Sequence, residues 1–146
     1  MKKEKIIQKS ITINSACSNV WNIIAKPENI KKWMSDSEIE VISDWRAGSR
    51  ITYTGEFNGH RFEDYGTILK LEPYKVFRYG YWSRLSKLPD APENYTIIEF
   101  HLVAAENKTT LHLHQHHFPG KASYEHWNFY WMATLNIIKD MAESME

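Results

Sequence analysis

TTLHLHQHHFPGKASYEHWNFYWMATLNIIKDM, residues 109–141, changes its period part-way along. Up to His117 apolar and polar residues alternate, with Leu111 and Leu113 set against His112, His114 and His116. That is the two-residue repeat of a strand with one face on a core. Beyond Pro119-Gly120 the spacing lengthens to three and four, through Tyr124, Trp127, Trp131, Leu135, Ile138 and Met141. This predicts a helix over about Ser123 to Glu143 with a wide, ring-rich apolar face. Such a face has to be buried, and the natural place is the concave side of a curved sheet.

The residues upstream supply that sheet. A tight turn at Glu106-Asn107 would fold YTIIEFHLVA onto the histidine strand. It would pair Leu102 with Leu111 and Phe100 with Leu113 inside, and His101 with His112 and Glu99 with His114 outside. KVFRYGYW places Phe77, Tyr79 and Tyr81 on one face. RITYTGEF places Ile51, Tyr53 and Phe57 together, and Asn58-Gly59 is a strong hairpin signal. HRFEDYGTILKLE has mixed parity: Phe62, Gly66 and Ile68 agree, while Tyr65, Leu69 and Leu71 do not. A bulge or strong bend near Gly66 would reconcile them. EIEVI is a short strand turned by WRAG.

The chain opens differently. KIIQKSITI reads as a strand, and Ser15 resembles an N-cap for the short helix ACSNVWNIIA. Pro27 fits the first turn of a second helix, PENIKKWM, with Ile30, Trp33 and Met34 as its apolar stripe. Residues 83–94 are polar, carry two prolines and show no period, so they form the longest loop. The expected class is α+β: two short helices after the first strand, then an antiparallel sheet wrapped around a long C-terminal helix.

Composition narrows the function. A length of 146 residues suits one domain, 1–146. Lys plus Arg equals Asp plus Glu at 18 each, which gives no general attraction for phosphate backbones, so no nucleic acid is expected. No stretch approaches the roughly 20 apolar residues of a membrane span, and the apolar run after MKKEK is too short for a signal, so a cytoplasmic location without membrane insertion is expected. The single cysteine, Cys17, excludes an intrachain disulfide and reads as a small helix residue rather than a reactive thiol.

ITINSACSNVWNIIAKPENIKKWM, WRAGSRITY, GTILKLEPYKVFRYGYW, TIIEFHLVAAENKTTLHLHQHHFP and HWNFYWMATLNIIKDM together carry a family likeness. The sequence resembles the helix-grip superfamily of START domains and the pollen allergen fold. Within it, the likeness is nearest to the branch related to the C-terminal domain of the Hsp90 ATPase activator. The matching residues are mainly architectural: Val20 and Trp21, Trp33, Gly48, Gly66, Glu72-Pro73, Trp127 and Leu135. Many relatives carry a second tryptophan where this chain has Met34. The resemblance implies a cavity between sheet and helix, and it brings no catalytic triad, metal motif or cofactor.

Three functions follow as expectations. The first is binding of an apolar or aromatic small molecule by Trp33, Tyr53, Phe57, Phe77, Tyr79, Tyr81, His117, Trp127 and Trp131. So many amphipathic rings suit an irregular cavity with a few polar points. His117 is expected to point inward beside Gln115, and the 83–94 loop to cover an entrance. The second is a cyclase-like or hydrolytic enzyme, which needs an inward acid or base; Glu63, Asp64 and His117 are the candidates, with His60 nearby. No HExxH, GxSxG or phosphate-loop pattern supports it. The third is a protein-interaction domain acting on a chaperone or another partner, a second copy of the chain included. His101, His112, His114 and Glu99 offer metal-ligand atoms, but residues two apart on a strand lie nearly 7 Å apart, so no metal is expected.

Overall fold

The computed structural model describes residues 5–35 and 38–145; the Phe57 side chain lies outside the described residues. Seven strands form one antiparallel sheet: β1 (Ile6–Ile13), β2 (Ile39–Ser43), β3 (Arg50–Phe57), β4 (His60–Glu72), β5 (Val76–Trp82), β6 (Thr96–Ala105) and β7 (Lys108–His116). Their spatial order is β1-β7-β6-β5-β4-β3-β2. The helices are α1 (Cys17–Ile24), α2 (Pro27–Met34) and α3 (Lys121–Glu143). This is the helix-grip arrangement: a curved sheet closes around α3, and α1 and α2 also pack on that helix.

Local chemistry explains most element ends. Pro27 occupies the first turn of α2, where its missing N–H costs no hydrogen bond. Asn58 and Gly59 both have positive φ, 52° and 79°, and link Phe57 to His60 as a two-residue primed hairpin turn. The β6–β7 register pairs Leu102 with Leu111, Phe100 with Leu113, His101 with His112 and Glu99 with His114, as the alternation predicts.

Two local expectations need correction. Ala16, not Ser15, caps α1, and no side-chain bond is made there. Ser15 instead accepts from the Asn19 side-chain amide on Oγ and from the Thr109 hydroxyl on its carbonyl, which ties the start of the helix to β7. The parity break in β4 is a bulge between Ile68 and Lys70, just beyond Gly66. It returns Leu71 to the inner face, opposite Phe77, while Tyr65 stays outside. Gly66 has a separate reason to be glycine: a Cβ there would stand 2.5 Å from the Gly80 carbonyl oxygen.

The core is continuous along the concave face. Ile51, Tyr53, Ile68, Phe77, Tyr79, Ile98, Phe100, Leu111 and Leu113 meet Trp131, Leu135 and Ile138 of α3. One buried polar chain crosses it. The Trp131 Nε1–H donates to Gln115 Oε1 at 2.7 Å, Gln115 Nε2 donates to Thr96 Oγ1 at 3.0 Å, and Thr96 Oγ1–H donates to the His116 carbonyl at 2.9 Å. Every member is satisfied, so the burial of Gln115 carries little penalty.

Candidate functional site

The inward positions of β3, β4 and β5 bring Tyr53, Asp64 and Tyr81 together beneath the N-terminal half of α3. The Tyr53 and Tyr81 rings lie 5.2 Å apart, and Trp127 meets Tyr81 edge-on at 5.5 Å. Tyr130 joins from the helix, 5.2 Å from Trp127, with its hydroxyl donating to the Met34 carbonyl at 2.7 Å. Trp127 is half-buried, so this end of the ring cluster reaches the surface.

The polar atoms here are unequal. Asp64 is only 4% exposed. One carboxylate oxygen accepts from Tyr81 Oη at 2.6 Å, and the other from the Arg84 backbone N–H at 3.0 Å. Tyr53 and Tyr79 are 2% and 4% exposed, yet neither hydroxyl has a hydrogen-bond partner among the described residues. Among those residues the one fully sealed polar side-chain atom without a partner is His116 Nδ1. The Tyr53 and Tyr79 hydroxyls therefore still touch space that a water-sized group can reach.

The remaining predicted ligand residues separate. Trp33, Phe77 and Trp131 belong to the packed end: Trp33 Nε1–H donates to the Ile23 carbonyl at 2.8 Å, and Phe100 contacts all three rings. His117 does not point inward. The strand ends at His116, and His117 takes positive φ, 64°, which swings its ring to the surface, Nδ1 2.6 Å from the Tyr95 carbonyl. Tyr130 is the addition; of the acid–base candidates on β4, Asp64 is the buried one, with Glu63 half-buried and His60 exposed. Asp64 shares the parity of Phe62, Gly66 and Ile68, so its direction was carried by the same signal that placed those residues.

A family model described as Activator of Hsp90 ATPase homolog 1-like protein matches residues 14–143. The chain belongs to that family. A protein of Cytophaga hutchinsonii solved in solution is 32% identical over 98% of this chain and 97% of its own, with a TM-score of 0.83. The Aha1 dimer of Colwellia psychrerythraea is 22% identical over 96% and 97%, with a TM-score of 0.72. A Nitrosomonas europaea protein has the same fold at 19% identity over 93% and 92%, TM-score 0.74. Comparison with curated proteins finds no match.

In this activator-like domain the loop after β5 does not lie over the ring cluster as a lid. It straddles the sheet. Its start is tied to the inner face through Arg84 and Asp64. Its middle folds onto the outer face, where the Trp82 indole N–H donates to the Leu88 carbonyl and Asp90 meets Arg50 and Tyr95. That outer face carries a stack of Arg50, Tyr65, Trp82 and Tyr95. The histidines of β6 and β7 are also outside: the His101 and His112 rings lie 6.3 Å apart, the His114 and His116 rings 5.4 Å. Among the described residues no group of three or more His, Cys, Asp or Glu side chains converges as metal ligands would. No helix among them is long and apolar enough to cross a membrane.

Burial raises the Asp64 pKa, against the lowering pull of the Tyr81, Arg84 and Ser83 hydrogen bonds and the Arg84 charge. The sign matters for stability. A carboxyl whose folded pKa exceeds its unfolded value contributes stability below the unfolded value, and this is lost as pH rises through the folded one. Urea midpoints of the wild type are therefore expected to fall as pH rises from the ordinary carboxylate range, about 4, through the raised Asp64 value. Asp64→Asn cannot ionise and should flatten that fall. Equal slopes for the two proteins would assign the pH dependence to another group.

Proposed function

We propose that this domain binds an apolar or aromatic small molecule between the N-terminal half of α3 and the concave face of β3, β4 and β5. The observation that carries this reading is the pair of inward hydroxyls on Tyr53 and Tyr79 without a hydrogen-bond partner among the described residues. A ligand atom that bonds either hydroxyl takes the place of water there and fixes the ligand's orientation. Trp127 and Tyr81 add ring area at the rim. Burying about 200 Å² of apolar ligand surface contributes roughly 5 kcal/mol before association costs, so micromolar or weaker affinity is expected. Titration with fatty acids, flavonoids and polycyclic aromatics, followed by tryptophan fluorescence, should give at least one saturable ligand. Tyr79→Ala should weaken it by about tenfold, since it removes a ring and a hydroxyl. No saturable ligand across the set would reject the reading.

A second reading has its own observation. Phe129 and Met132 are 76% and 60% exposed on the outer side of α3, with Ala133 and Ile137 beside them on the same stripe. Exposed apolar stripes of this kind mark contact surfaces. The Colwellia psychrerythraea relative is described as a dimer. Self-association through this stripe would show as a sedimentation mass that rises with concentration and stays monomeric in Phe129→Glu. A wild-type mass constant at the monomer value would remove the second copy as its occupant.

A further inference from the structure

We propose, resting on the small-molecule reading above, that the ligand is a neutral aromatic carbonyl compound whose oxygen accepts from the Tyr53 and Tyr79 hydroxyls. The phenols of the ring cluster differ in what they have left to give. Tyr81 Oη donates to Asp64 at 2.6 Å, and Tyr130 Oη donates to the Met34 carbonyl at 2.7 Å. Tyr53 and Tyr79 are more deeply buried than Tyr81, and neither hydroxyl has an acceptor among the described residues. Burial, and then the Asp64 charge, hold the Tyr53 phenol far above its ordinary pKa; burial, and then Tyr53, do the same at Tyr79. Each therefore stays an O–H donor, and what it lacks is an acceptor.

The charges of the interior select a neutral acceptor. Asp64 lies across from Tyr53 in the β3–β4 register. Among the described residues it is the one buried carboxylate, and no Lys, Arg or His side chain is buried with it. Ionised, Asp64 repels an anionic head group; protonated, it offers that group no counter-charge. An ammonium fares little better. Each Asp64 oxygen already accepts a hydrogen bond, and the Arg84 charge acts on the same carboxyl. Burying an ion without a free partner costs far more than burying a carbonyl that finds a donor.

The rings set the orientation. The Tyr53 and Tyr81 rings lie 5.2 Å apart, and the half-buried Trp127 meets Tyr81 edge-on at 5.5 Å. The ligand's own ring therefore stays toward Trp127 at the surface end, and its carbonyl points inward to the two phenols. The polar end enters first, which only an uncharged group can do at low cost.

The test uses three probes with one ring system: 2-acetonaphthone, 2-naphthoate and 2-naphthylmethylammonium. Each is titrated into isotope-labelled protein near neutral pH and followed by amide and indole NMR shifts, which also report that every variant is folded. The ketone should bind about tenfold more tightly than either charged probe. Tyr53→Phe and Tyr79→Phe keep the rings and remove only hydroxyls that hold nothing within the described residues. Each should weaken the ketone about threefold, and the double variant about tenfold, with the charged probes unchanged. A charged probe that binds as tightly as the ketone overturns the neutral class and leaves the small-molecule reading standing. Ketone affinity that persists in the double variant overturns the role of the two phenols. Failure of all three probes to bind overturns the inference, while the small-molecule reading is judged by its own ligand set.

Discussion

Replacing Trp131 with alanine is expected to cost about 4–5 kcal/mol, the upper part of the range for large aromatic deletions from cores. Two losses combine. The ring is almost fully buried and packs against Trp33, Phe100, Trp127 and Tyr130. Its indole N–H is also the donor to Gln115 Oε1, deep in the core. Removing the ring leaves a cavity and an acceptor without its partner. Trp131→Phe separates the terms, because it keeps most of the packing and loses only the donor; about 1–3 kcal/mol is expected. Against a typical total of about 5–15 kcal/mol, the alanine variant would lose about a quarter of its stability or more. Urea denaturation measures both. An alanine penalty below about 1 kcal/mol would mean that the ring does not occupy the core.

The second large effect belongs to Gly66. A methyl group there meets the Gly80 carbonyl oxygen at 2.5 Å, and both partners are backbone. No rotamer can relieve that contact, so β4 and β5 must separate locally. We expect Gly66→Ala to cost about 2–3 kcal/mol, as overpacking does, with more if ladder bonds break. Gly80 provides the control. A Cβ on it finds nothing nearer than 3.6 Å, at the Tyr95 ring. Gly80→Ala should therefore change stability by less than about 1 kcal/mol. Similar penalties at both glycines would contradict the asymmetric approach of the two strands.

Much of the fold was legible because the periods were clean. The alternation Leu111, Leu113, Gln115 and its mirror in Ile98, Phe100, Leu102 determined the last hairpin and its register. The three-and-four spacing of Trp127, Trp131, Leu135 and Ile138 did the same for α3. The candidate site was less legible for two local reasons. His117 continues the strand alternation in sequence, but positive φ at that residue turns the chain and breaks the inference from parity. In β4, the bulge after Ile68 mixes two registers in one run of residues, which hid the inward direction of Asp64 although Phe62 and Gly66 flank it with the same parity. Nor could periodicity distinguish rings that fill space from rings that border it. Trp33 and Trp131 satisfy their own N–H groups inside the protein, whereas the hydroxyls of Tyr53 and Tyr79 find no partner among the described residues.

The pairing of β1 with β7 has a consequence for how the chain is made. Ile6 sits opposite His116, more than a hundred positions further along the chain, and α1 packs on α3. Contacts this distant in sequence close a large loop and slow the folding rate. On a ribosome, β1 emerges first yet has no partner until β7 has followed it. The hairpins from β2 to β7 can assemble in order as they appear, and β7 then presents an open edge until β1 returns to cover it. That interval is when the chain is most exposed to edge-to-edge association with its neighbours.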